Sequence, residues 1–307
     1  MQDLRVTVAS LRSVLADVTS NLRRVQEACD QASREGSRMI LLPELMLTGH
    51  GGHPSMVENA ETVPDGRLCQ EMLELSARCD LCICVGMAEL SEGIVYNAQI
   101  VADRGRYLGL QRKINLSGDE YCHFGTGQQL QVFELEGDEG KPCLRFGVVI
   151  CYDNLFPELA LLHSLRGVDL IVAPHAARTG AWPVPLTAEF RQATMRHRQE
   201  EWERIHVARA YDHNVYVLLC NAVGPSTAGL DGVIANHAGT VMGIDPSGEV
   251  FLRSEAFDLV DEVVTVDLEA SKRRINHGPP RNRRLDLVAR LFALERDRRM
   301  VSGFTGE

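Results

Sequence analysis

Short apolar runs recur along the whole chain, and each is cut off by a polar or turn-forming residue long before it could cross a membrane. They are Leu4 to Ala9, Met39 to Leu42, Leu81 to Met87, Gln99 to Ala102, Leu144 to Ile150, Leu170 to Ala173, Val215 to Cys220, Val241 to Ile244 and Glu262 to Val266. Runs of this length read as buried strands. Between them, Asn21 to Glu35 carries Leu22, Val25, Cys29 and Ala32 on one helical stripe, and Glu71 to Arg78 and Pro157 to Arg166 keep the same period. The alternation of strand and helix predicts a layered α/β fold. Gly105 in VADRGRYLG and Gly248 in GIDPSGEVF sit at turns between extended runs, which adds hairpins and makes the sheets mixed. With 307 residues, 45% of them hydrophobic, the chain has ample core for one domain over residues 1–307, and no Pro/Gly/Ser-rich linker divides it.

The same sequence excludes several classes. No apolar run reaches the roughly eighteen residues of a bilayer span, so no membrane partner is expected. A formal charge of −10 gives no basic field for nucleic acid, and the arginines near 273–284 are too sparse to reverse it. The opening MQDLRVTVAS has neither the basic segment nor the continuous apolar core of a secretory leader, which predicts a cytoplasmic protein. Nine irregularly spaced cysteines fit that reducing compartment as free thiols. Cys79, Cys82 and Cys84 suggest zinc at first sight, but no second Cys or His pair follows at finger spacing, and Cys82 and Cys84 share a strand face. No metal site is expected. Gly125-Thr126-Gly127 lacks the third glycine of a dinucleotide fingerprint, and no phosphate loop exists.

Three strand ends carry chemistry. In GVVICYDNLFPE an apolar run delivers Cys151 to an abrupt polar turn, which is how a nucleophile is held on a rigid mount. Glu44 follows MILLP, where loss of water makes a carboxylate a stronger base. Lys113 ends YLGLQRK, and an ammonium near a thiol favours the thiolate and can later hold a developing oxyanion. Each residue alone fits an ordinary strand end. The three together, in this order, do not.

With its motifs LLPELMLTGH, QRKINL and GVVICYDNLFPE, the chain resembles the nitrilase superfamily of carbon-nitrogen hydrolases. YNAQIVADRGRYLG, FGTG, DLIVAPHA, ARAYDHNVYVLLCNAVG, DPSGEV and RRLDL extend the likeness almost from end to end. The resemblance implies a four-layer αββα sandwich and homo-oligomers, dimeric or higher. It implies a Glu-Lys-Cys triad needing no metal or organic cofactor, with a small amide or nitrile and water as its molecular partners. Carried over residue by residue, Glu44 is the general base, Lys113 the oxyanion donor and Cys151 the nucleophile, and Tyr152 offers its backbone N–H to the oxyanion. Glu120, seven residues beyond Lys113, matches the second glutamate of amidase-type members, with Asp119 its neighbouring rival. His175 and Trp182 fall where the family lines its substrate pocket, the histidine as a wall residue. Asn97 and Asn221 are expected to be structural amides.

These residues predict a thiol amidohydrolase that releases ammonia or an amine through a Cys thioester. Three rivals stand beside it. True nitrilases usually carry Trp and Glu after the cysteine, where this chain has Tyr152 and Asp153. Carbamoyl amino acid hydrolases fit the Pro-rich loop RTGAWPVPL and the long helix after it, but Leu159 and Ala160 stand where such enzymes often place an arginine. A pseudo-enzyme that only binds partners is the third, and an intact triad argues against it. The tail, about residues 270–307, contains RRLDLVARLFALERDRRM with Leu287, Leu291 and Leu294 on one stripe, and is expected at a subunit interface.

Overall fold

The computed structural model describes residues 1–51, 53–137, 140–182, 187–227, 234–255, 257, 259–273 and 283–302. Met1–Arg274 forms one compact unit and Ile275–Glu307 a second. Two six-stranded sheets build the first unit. One runs in the order β15 (Glu262–Leu268), β1 (Leu4–Ser10), β2 (Met39–Leu41), β3 (Cys82–Ser91), β4 (Ile94–Asp103), β5 (Arg106–Arg112). The other runs β14 (Val250–Arg253), β13 (Val241–Ile244), β10 (Tyr216–Asn221), β8 (Leu170–His175), β7 (Pro142–Val148), β6 (Val132–Glu136). Both are mixed: β1, β2 and β3 are parallel, as are β7, β8 and β10, and antiparallel strands flank them.

Side-chain alternation explains the layers. Met39, Leu41, Cys82 and Cys84 of one sheet meet Phe146, Val148, Leu170 and Val172 of the other in a shared core. The intervening Ile40, Ile83 and Val85 face the opposite way, onto α1 (Val18–Arg34) and α2 (Arg67–Cys79). On the far side Ile171, Ala173, Val217 and Leu219 pack against α3 (Pro157–Leu165) and α4 (Ala188–His213). The result is an αββα sandwich, and its cysteines at 82 and 84 are core thiols between the sheets. Among the described residues no His, Cys, Asp and Glu cluster could hold a metal ion, and no helix is long and apolar enough to cross a membrane.

A third, three-stranded sheet joins β9 (Arg178–Trp182), β12 (Ile234–Ala238) and β11 (Val223–Thr227). The sequence reads residues 178–182 as part of a loop; here they pair antiparallel with β12. The described residues of the second unit include a helix, α5 (Leu285–Ser302), as the apolar stripe of the tail predicts.

Candidate active site

Four segments converge where strands of the two sheets end. Glu44 leaves β2 in a tight turn whose path depends on close approach to β3. A Cβ on Gly86 would lie 2.2 Å from the backbone nitrogen of Leu45 and 2.7 Å from the carbonyl carbon of Glu44, so only glycine admits the turn. Lys113 follows β5 and stays in register with β4, its N–H donating to the Asn97 carbonyl at 2.8 Å. Cys151 opens a single 3₁₀ turn, Cys151–Leu155, just beyond β7, and holds a left-handed φ of +47°. Glu120 lies in another 3₁₀ turn, Gly118–Cys122, which it caps: its Oε2 accepts from the Ser117 N–H at 2.8 Å and from the Ser117 hydroxyl at 2.9 Å.

The geometry centres on Lys113. Its Nζ donates to Glu44 Oε1 at 2.7 Å and to both Glu120 oxygens at 2.8 and 2.7 Å, with all three side chains at most 1% exposed. Burial alone would strip the ammonium of its proton, but Glu44, Cys151 and Glu120 together hold it charged, above the ordinary lysine range. Asn97 ties the carboxylates together, Nδ2 donating to Glu44 Oε1 at 2.8 Å and to Glu120 Oε1 at 3.0 Å. The Ala176 N–H fixes the other Glu44 oxygen at 2.7 Å. The Cys151 thiol is half-buried and pushed well above the ordinary range, by burial first and then by facing Glu44, and Lys113 opposes this only in part. The sequence suggests a lysine that favours the thiolate; in the structure burial and the facing Glu44 outweigh Lys113 and raise the thiol instead.

The remaining sequence candidates are distributed around this centre. His175 ends β8 on the same strand face as Ala173, so its ring turns toward α4, 5.0 Å from Trp202 and 5.7 Å from His206. Burial, then His206 and Lys113, hold it well below the ordinary histidine range and hence neutral. The Tyr152 side chain is exposed, edge-on to Phe156 at 5.5 Å. Trp182 closes β9 as a backbone partner of Ile234, and its side chain, like that of Asp119, lies outside the described residues. Asn221 is a lock, exchanging both side-chain bonds with the Ala177 backbone. Cys122 is exposed.

Three participants escape the sequence reading. Asn97 bridges two carboxylates rather than serving only as a structural amide, and nothing in YNAQI distinguishes the two uses. The Ala176 N–H is anonymous in any sequence. Asp153 is buried and accepts from Ile114 N–H at 3.1 Å, Asn115 N–H at 2.7 Å and Asn115 Nδ2 at 2.9 Å, which staples the segment after Lys113 to the Cys151 turn. An acid two residues beyond Cys151 is a visible signal, but its partners depend on tertiary contact.

Comparison with known proteins agrees with this fold. The family model "Carbon-nitrogen hydrolase" matches residues 5–274. The chain is 28% identical over 267 residues to a probable nitrilase of Schizosaccharomyces pombe, covering 84% of this chain and 86% of that protein. It is 29% identical over 290 residues to the glutamine-dependent NAD(+) synthetase of Thermotoga maritima, spanning 92% of itself but only 45% of the synthetase. A variant of the Nesterenkonia AN1 amidase from the nitrilase superfamily superposes with a TM-score of 0.71 at 18% identity, over 94% of this chain and 97% of that one.

Asp153 gives the site a pH signature. Burial raises its pKa from 3.8 to about 6 against the pull of the Asn115 and Ile114 donors. Between those values the folded chain binds more protons than the unfolded one, so the stability from this group is complete below the unfolded value and is lost as pH rises through 6. Asparagine does not titrate. The stability of the parent relative to Asp153→Asn is therefore expected to fall by about 2 kcal/mol between pH 4 and pH 7 in paired urea titrations. A difference that is flat, or that grows with pH, contradicts the assignment.

Proposed function

The chain belongs to the carbon-nitrogen hydrolase family, the nitrilase superfamily, and from that premise we propose that it is a thiol amidohydrolase acting on a small amide through a Cys151 thioester. The observation that carries the proposal is the buried Lys113 ammonium bound by Glu44 on one side and Glu120 on the other. Glu44 takes the Cys151 proton as sulfur attacks the carbonyl carbon, and the oxygen that gains the electron pair is met by Lys113 Nζ and the Tyr152 N–H. The C–N bond then breaks, with Glu44 returning the proton to the departing ammonia or amine. Glu44 next deprotonates water, which attacks the thioester carbonyl; the C–S bond breaks and the acid leaves with Cys151 restored as a thiol.

Glu120 favours an amide over a nitrile. Capped by Ser117 and tied to Asn97, it is a rigid acceptor beside Lys113, able to hold a substrate NH2 while the carbonyl faces the oxyanion donors. A nitrile carries no such NH2 at the first attack. Tail-mediated self-association belongs to the same proposal, since the apolar stripe of α5 suits a subunit interface.

Purified protein is expected to release ammonia faster from a primary amide than from the matching nitrile, and Glu120→Gln to lose roughly a hundredfold or more in amide kcat/KM. A nitrile preferred by more than about tenfold, near 1.4 kcal/mol of transition-state preference, moves the assignment to the nitrilase branch, and a modest loss in Glu120→Gln makes Glu120 a structural acid only. Sedimentation is expected to give a mass above one 34.0 kDa chain at micromolar concentration, and a monomer mass contradicts self-association.

A further inference from the structure

Beneath the Cys151 turn lies a buried polar group of side chains that the proposed reaction does not consume. Asn154 Nδ2 lies 2.8 Å from the Val149 carbonyl oxygen and 3.0 Å from the Cys151 carbonyl oxygen. One amide thus donates to the chain on both sides of a nucleophile held at φ +47°. Such a backbone is disfavoured for a residue with a Cβ, and it persists only where its surroundings impose it. The two carbonyls also fix which end of the Asn154 amide is nitrogen. Its oxygen faces α4, where His206 Nε2 stands 3.2 Å away and donates to it in the tautomer that carries its single N–H on Nε2; the other ring nitrogen lies 2.7 Å from the Trp202 carbonyl oxygen. Asn154 and His206 are 5% and 1% exposed.

The contact to the Cys151 carbonyl has a consequence one bond further on. That carbonyl and the Tyr152 N–H belong to the same planar trans peptide and point in opposite directions. Fixing the C=O therefore fixes the N–H, and a donor on the oxygen polarises the peptide so that its N–H donates more strongly. We infer that Asn154, steadied by His206, is a positioning residue that aims the Tyr152 N–H at the oxyanion while anchoring the left-handed Cys151 turn.

The inference rests on Cys151 as nucleophile and the Tyr152 N–H as oxyanion donor, so its test separates chemistry that builds an oxyanion from chemistry that does not. Acylation by an amide builds one. Methylation by iodomethane does not: Glu44 takes the thiol proton, the sulfur forms a bond to carbon, iodide leaves, and no carbonyl oxygen gains charge. For Asn154→Ala, kcat for a primary amide is expected to fall about ten- to a hundredfold with KM within about threefold, since a misaimed donor loses part of what a deleted one loses. Methylation at the Cys151 peptide, followed by mass, is expected to keep its rate within about threefold.

His206→Leu removes the support and leaves the amide, so it is expected to show the same split with a smaller loss of kcat. It carries the test alone if Asn154→Ala does not fold. Parallel losses in turnover and methylation in the folded variant, or no loss of kcat, overturn the inference. If parent enzyme methylated at Cys151 still turns over, the nucleophile assignment fails instead, and the two failures are told apart.

Discussion

One ammonium shared by two carboxylates, all three out of water, is the constraint from which the rest of this site follows. Charges in the interior persist only when they are paired and their remaining lone pairs are occupied. Lys113 compensates one of the two negative charges, which leaves a surplus that only donors can meet. They come from separate parts of the chain: Asn97 from β4, the Ala176 N–H from the end of β8, and Ser117 from the turn that carries Glu120. Each sheet must therefore end where it does for the group to be satisfied. Satisfaction of the charges and alignment of the strands are one condition, and donors on all four carboxylate oxygens make the group rigid.

Rigidity gives the thiol its setting. Burial and the facing Glu44 push the Cys151 thiol well above its ordinary range, and Lys113 opposes them in part. The parallel strands β7 and β8 carry the cysteine turn and the Ala176 N–H to the same edge, and Asp153 fastens that turn to the segment after Lys113. Glu44, Lys113 and Cys151 are held by two sheets packed face to face, where small displacements are resisted by a close-packed core.

Much of this was legible in the sequence, for a physical reason. The inner strands β2 and β7 are largely buried and lead through apolar residues to Glu44 and Cys151, whereas Lys113 ends β5, a partly buried edge strand of alternating character. Periodicity reached only a mixed α/β layering; the four-layer αββα arrangement came from the family resemblance, and in the structure residues such as Cys82, Ile83, Cys84 and Val85 take alternate sides of it. The third sheet was not legible, because RTGAW, VGPST and IANHA are short, partly polar and rich in small residues, and tertiary pairing decides their conformation. His175 shows a signal that was present and unused: two residues beyond Ala173 on one strand, it shares the helix-facing side. Asn97 shows a signal that was absent, because a bridging amide and a structural one have the same sequence.

The most direct measurement is the intact mass of the protein mixed with a turned-over amide and quenched in acid within a turnover. The account predicts an added acyl group that maps to the Cys151 peptide and is missing from a Cys151→Ala variant that folds like the parent but does not turn over. Acyl mass on another residue, Cys122 included, or turnover retained by Cys151→Ala, contradicts it.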